Sequence, residues 1–246
     1  MNNEQHSKQH IVWHDEVIIK QLISYAIGCM MGRYSLDKPG LILANQGDTL
    51  KEYLNQVPQP TFMPDEDGIL LLMDDNSPFP DNVVNKLTEW VTVAFGTEWQ
   101  TANLNCMETA LGKPLADYLA KDFWKDHKKM YQNRPIYWLF SSKKGAFKAL
   151  VYLHRMDPYT VGKVRNKYLL PYIEWLKAQI ETLMARQAEL SATERKQLQN
   201  FNKQLEECRE YDIRLHEVAT HPIEIDLDDG VIVNHAKYGD VLAKLK

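Results

Sequence analysis

Cysteine is scarce in this chain, and the three present, Cys29, Cys106 and Cys208, lie far apart with no CxxC pair. That spacing excludes a disulfide framework and a zinc knuckle, and leaves buried free thiols as the expectation. Long apolar runs are also missing. The longest, Val17 to Met31, is broken by Lys20 and Gln21 and stops short of the roughly 20 residues a membrane-spanning helix needs, so no transmembrane span is predicted. The stretch Met1 to His10 is polar and lacks the apolar core of a secretory signal, which makes a cytoplasmic location the expectation. There is no internal repeat, no low-complexity tract, no Walker lysine loop and no Gly-x-Ser-x-Gly elbow. What remains is 246 residues of 44% hydrophobic content, enough to bury a core in one large or two small domains.

The net charge of −4 hides a segregated distribution. Residues 1–112 carry 6 Lys/Arg against 15 Asp/Glu, residues 113–167 carry 13 against 4, and residues 168–246 carry 10 against 14. A basic stretch between acidic flanks is the footprint expected where phosphates are neutralised. A basic surface matched to the chain's own acids is the alternative, and charge alone leaves both open.

Hydrophobic spacing predicts an α+β, mainly α-helical fold. The N-terminal part, residues 1–112, is acidic and mostly helical: a buried helix runs from Asp15 to Met31 with acids in its first turn, and a short one starts near Asp48. Between Val57 and Pro80, five prolines and the acids Asp65, Glu66, Asp67, Asp74 and Asp75 surround a short strand at Ile69 to Met73. Helices follow over residues 81–130, with Trp90, Val93, Trp99, Leu104, Leu111, Leu115, Tyr118, Leu119 and Phe123 as core candidates. A basic region, 113–160, holds a β-hairpin: Ile136, Trp138 and Phe140 alternate, then Phe147, Ala149, Val151 and Leu153, with Ser141-Ser142-Lys143-Lys144-Gly145 as the turn.

Residues 161–219 read as a long antiparallel helical hairpin. Leu169, Ile173, Leu176, Ile180 and Leu183 form one seam, and Leu198, Phe201, Leu205 and Cys208 repeat it. Pro171 suits a first turn, and Ser191 with Glu194 forms a capping box for the second arm. Each arm should be about 27–37 Å long. The last segment, 220–246, reads as a strand at Ile223 to Leu227, a tight turn at Asp228-Asp229-Gly230 and a further extended stretch at Val231-Ile232-Val233.

Few residues suggest chemistry. Asp74 and Asp75 end a strand as nuclease carboxylates do, but no Lys-bearing strand follows at the required spacing, so a turn or helix cap is the simpler reading. His10 and His14 share a helical face without a third ligand, and no metal site is assigned. His154 reads as a structural histidine, and Tyr137 and Trp138 as core. The candidate functional feature is the hairpin tip, where two hydroxyls and two ammonium groups meet at a protruding turn with Lys148 and Arg155 following. A solvated turn is the plain alternative.

Several long strings then carry a resemblance. Gly32 to Leu41 (GRYSLDKPGL), Arg134 to Ser142 (RPIYWLFSS), Gly145 to Arg155 (GAFKALVYLHR) and Asp228 to Lys244 (DDGVIVNHAKYGDVLAK) resemble, in the same order, the C-terminal region of the PglX-type adenine-specific DNA methyltransferases of BREX phage-defence systems. The likeness covers about residues 15–246. It implies a region that follows the methyltransferase domain and contributes to target recognition and to grasping the duplex. The Asn/Asp-Pro-Pro-Tyr/Phe motif that holds a flipped adenine is absent, as is the glycine loop of an S-adenosylmethionine site, Phe95-Gly96 being too isolated. No catalytic or cofactor-binding residue is therefore assigned to this chain, and S-adenosylmethionine is expected in the parent enzyme only. The implied partner is double-stranded DNA, engaged by Lys128, Lys129, Arg134, Ser141, Ser142, Lys143, Lys144, Lys148 and Arg155. The alternative is an interaction scaffold, with the hairpin Pro171 to Ala219 docking on the catalytic methyltransferase half or on other BREX proteins, and no membrane partner in either case.

Overall fold

Alternation along three short strands places a sheet at the centre of the protein. The structure, a computed structural model, describes residues 14–73 and 79–245. Strands β1 (Ile69–Leu71), β2 (Tyr137–Ser141) and β3 (Lys148–Tyr152) form an antiparallel sheet in the order β1-β3-β2. Trp138 pairs with Val151 and Ile69 with the same Val151 from the other side. Successive side chains leave opposite faces of a strand, and here both faces are apolar. Ile69, Leu71, Trp138, Phe140, Ala149 and Val151 enter one core, while Leu70, Tyr137, Leu139, Leu150 and Tyr152 enter a second. A sheet covered on both sides needs a helical layer on each.

The second core is closed by helices α1 (Asp15–Met30), α2 (Leu50–Gln56), α3 (Val83–Phe95), α4 (Gln100–Leu111), α5 (Leu115–Lys121) and α6 (Phe123–Met130). Ile23, Ala26 and Ile27 of α1 and Leu87, Trp90 and Val91 of α3 are its buried seams. The first core is closed by the predicted helical hairpin, α8 (Leu170–Met184) against α9 (Ala192–Ala219). Ile173, Leu176, Ile180 and Leu183 face Phe201, Leu205, Cys208 and Leu215, and full burial of such side chains contributes about 1.5–3 kcal/mol each. Ser191 and Glu194 form the predicted capping box, with Ser191 N donating to the Glu194 carboxylate at 2.8 Å. Pro171 lies in the first turn of α8, which continues without a break from α7 (Thr160–Lys163) through a π-helical turn, Val164–Leu169.

Three expectations are corrected. The C-terminal strands do not form: Leu227–Asp229 is a 3₁₀ turn and Val231–Ala236 is a helix, α10. The reason is Asn234, fully buried, whose amide nitrogen donates to Gly230 O at 3.0 Å and to Asp226 O, while its oxygen accepts from Asp226 N at 3.2 Å. Helical spacing is what brings residue 234 back onto residue 230. An extended contact comes later, where Ala243 N donates to Leu139 O at 2.8 Å and Leu242 bridges Phe140, covering the outer edge of β2. Second, Trp99 is 59% exposed instead of buried, although Trp90, Leu111, Leu115, Tyr118, Leu119 and Phe123 are core. Third, Cys29 and Cys208 are buried thiols but Cys106 is exposed. Asp74, Asp75 and His10 lie outside the described residues.

Candidate nucleic-acid interface

The thirteen Lys/Arg of residues 113–167 sort into three groups. Six are held by acids: Lys113 and Lys125 by Asp122 at 2.9 and 3.3 Å, Lys121 by Asp117, Lys163 by Asp157, Arg165 by Asp212 at 2.6 Å and Lys167 by Asp67 at 3.1 Å. Much of the local positive charge is thereby cancelled within the fold.

Three more are engaged by backbone. Arg155 is only 8% exposed, and its guanidinium donates to Asp65 O at 2.7 Å and to Glu66 O, pinning the acidic loop beneath β1 and β3. Burial pulls its pKa down, and the loop carboxylates oppose this. Lys148 donates to Ala120 O at 2.6 Å, and burial lowers its pKa. Lys128 reaches Lys244 O at 3.2 Å and lies 4.3 Å over the Trp124 ring, again with its pKa lowered by burial. None of these three presents an unoccupied cation to solvent.

The two tip hydroxyls differ. Ser142 is buried and structural: its Oγ accepts from Phe147 N at 2.9 Å, which closes the hairpin turn. Ser141 is half-buried and donates to Ser142 O at 2.9 Å. The tip does not protrude freely, because Glu207 of α9 accepts from Lys144 N at 2.6 Å and from Ala146 N at 3.3 Å. A helical carboxylate thus fixes the loop that carries Lys143 and Lys144.

The third group is Lys129, Arg134, Lys143 and Lys144, all exposed, with no hydrogen bond or ion pair from their side chains among the described residues. They form two pairs at opposite ends of β2. Lys143 and Lys144 follow its last residue. Lys129, in the last turn of α6, and Arg134 precede it, on either side of a turn where Gln132 and Asn133 both have positive φ, 53° and 61°, a conformation that costs a non-glycine residue about 1–2 kcal/mol. The turn is secured by Asn133 N donating to Lys128 O at 2.8 Å and Arg134 N to Tyr131 O at 2.9 Å. Eight residues of nearly extended chain separate Arg134 from Lys143, so over the nine residue steps the two lie at most about 30 Å apart at ~3.3 Å per step.

His127 registers this end of the strand. Its Nε2 accepts from Tyr137 N at 3.2 Å, its ring stacks on Tyr137 at 4.6 Å, and burial pulls its pKa down to about 3. It is a neutral positioning group. His154 packs its ring on Tyr152 at 5.0 Å, with its pKa lowered by burial.

Two clefts were not legible in the sequence. One, about 740 Å³, lies between Arg134 and the C-terminal segment, floored by Ile232, Ala236, Leu242 and Leu245 and rimmed by Lys244. The other, about 430 Å³, is acidic and contains Asp65, Glu66, Asp67 and Asp81. Asp65 accepts from Gly68 N at 2.7 Å and Ile69 N at 3.0 Å, and burial raises its pKa to about 7. No group of three His, Cys, Asp or Glu side chains able to hold a metal ion occurs among the described residues. The sheet among the described residues is antiparallel, and Gly96 ends α3. Among the described residues no helix is long and apolar enough to cross a membrane.

No family model matches the chain. It is 42% identical over 253 aligned residues to the adenine-specific methyltransferase BrxX of Escherichia coli O9:H4 (strain HS), covering 95% of this chain and 21% of that protein. It is likewise 42% identical over 235 residues to the adenine-specific methyltransferase PglX of Lacticaseibacillus casei (strain Zhang), covering 89% of this chain and 19% of that protein. The resemblance carried by the quoted strings therefore holds over nearly the whole chain. The chain spans about a fifth of the length of the curated relatives it matches, consistent with one C-terminal region of a longer enzyme.

Proposed function

We propose that this chain is a non-catalytic, DNA-engaging part of a BREX-type adenine-specific DNA methyltransferase, with methyl transfer and S-adenosylmethionine binding located in another part of that enzyme. The observation that carries the reading is the pair of cation clusters, Lys129 with Arg134 and Lys143 with Lys144, left free at the two ends of one rigid strand while every other cation of the basic stretch is engaged within the fold. Cations whose backbone is held by a helix end and by hydrogen-bonded turns on either side of a buried strand have less conformational freedom to lose on meeting phosphates. Similarity to adenine-specific methyltransferases makes double-stranded DNA the partner these cations suit.

The test is duplex binding by fluorescence anisotropy between about 50 and 200 mM salt. Each phosphate neutralised contributes about −0.9 to the slope of log K against log salt, so four contacts give a slope near −3.6. Lys143→Glu with Lys144→Glu should lessen that slope by about 1.8 or more. An unchanged slope removes the hairpin tip from the interface, and absence of duplex binding by the wild-type chain at low salt overturns the reading.

A second reading, an interaction module docking on the catalytic part or on other BREX proteins, is favoured by one observation. Ile232 and Val233 of α10 are 57% and 54% exposed beside the apolar 740 Å³ cleft. Co-purification with a separately expressed catalytic part, lost on Ile232→Asp, is its expected signature.

A further inference from the structure

Helix α9 changes chemistry halfway along its 28 residues. Its inner half, from Glu206 onward, carries Glu206, Glu207, Glu210, Asp212 and Glu217, of which Glu207 holds the hairpin tip and Asp212 holds Arg165. Its outer stretch, 195–204, has no acid at all: RKQLQNFNKQ holds three cations, three glutamines and two asparagines around the buried Phe201. Fold stability does not ask for this composition. The cap is supplied by Ser191 and Glu194, the seam by Leu198, Phe201 and Leu205, and Lys196, Gln197, Asn200 and Gln204 make no hydrogen bond or ion pair among the described residues.

Those side chains share one face. Thr193, Lys196, Gln197, Asn200 and Gln204 recur at helical spacing and form one wall of an open groove of about 320 Å³. Its floor is aromatic: Trp175, half-buried, stacks on Tyr172 at 5.5 Å and meets the edge of Phe201 at 5.6 Å. A protein-binding face is depleted in lysine and centred on apolar anchors. This face instead combines amides, which donate and accept together, with lysines.

We propose that the Thr193–Gln204 face of α9 reads base edges in the major groove of double-stranded DNA, an inference that rests on the DNA-engaging reading above. Asn and Gln amides match the N6/N7 pair of adenine, Lys matches the O6/N7 acceptors of guanine, and an apolar edge such as Trp175 meets a thymine methyl. The dimensions agree. A helix about 10–12 Å across enters a groove about 12 Å wide, and twelve residues at 1.5 Å each span about 18 Å, close to five base pairs. The absence of acids along the stretch spares it repulsion from the phosphates on either side.

The test selects bound sequences from a randomised duplex pool with the full chain, then measures Kd for the most enriched duplex and a scrambled one. The wild-type chain is expected to prefer the enriched duplex by at least about tenfold, the effect of one good bidentate contact. Asn200→Ala with Gln204→Ala should reduce that preference by about fivefold or more without changing the salt slope, and the exposed Asn200 makes an unchanged melting temperature the expectation for its single variant. Retained preference in the double variant overturns the inference. Duplex binding with no enriched sequence also overturns it while leaving the DNA-engaging reading intact. No duplex binding at all removes both.

Discussion

Replacing Arg155 by Met separates the two roles a cation in the basic stretch can have. In the structure its guanidinium donates to Asp65 O and Glu66 O, and it is 8% exposed. Met keeps the apolar stem and removes the donors, leaving two carbonyls short of a partner, one of them in a buried bond, at about 1–3 kcal/mol for a fully buried group. It also removes the cation beside the buried Asp65 carboxyl and Asp67. Removing one partner from a buried charged cluster costs about 3–5 kcal/mol in total. At about 2–4 °C per kcal/mol for a chain of this size, the melting temperature should fall by roughly 6–20 °C. Urea unfolding followed by tryptophan fluorescence should show a lower midpoint at constant m. Arg155→Lys should recover only part of the loss, because one ammonium cannot serve both carbonyls as a planar fork does. A loss below about 1 kcal/mol, or an intact melting temperature together with a smaller salt slope in duplex binding, would refute the placement of Arg155 as an internal pin.

Two further outcomes follow from buried polar groups. His127 is held near a pKa of about 3 by burial, against about 6.5 in the unfolded chain, so between these values the unfolded state binds more protons. Its contribution to stability is present above pH 6.5 and declines by up to about 1.4 kcal/mol per pH unit as the pH falls toward 3. His127→Gln should flatten that part of the profile of melting temperature against pH, and an unaltered profile would contradict the assignment. Asn234→Ala leaves the backbone of Asp226 and Gly230 without their buried partner, at about 1–3 kcal/mol, and should expose residues 223–236 to limited proteolysis. Unchanged cleavage of that segment would show that something other than Asn234 holds α10.

The lesson for reading such a chain lies in particular residues. Trp138, Phe140, Ala149 and Val151 share one face as alternation predicts, and Ser191 caps α9 as its partner Glu194 three residues on requires. These signals are local, written within a few residues of where they act. Tyr137, Leu139, Leu150 and Tyr152 show the limit: an apolar second face announces burial but not which helices provide it.

The same division runs through the candidate interface. Composition alone determined that positive charge gathers between residues 113 and 167, and hydrophobic period determined the helices and strands that carry it. Which cations remain available was decided only by tertiary structure, since Lys167 meets Asp67 a hundred residues away, Arg165 meets Asp212 and Arg155 turns inward to the Asp65 loop. Backbone propensities act over a few residues and leave their mark in the string. Charge pairing acts through space across a few ångströms, and that proximity exists only once distant segments have folded together.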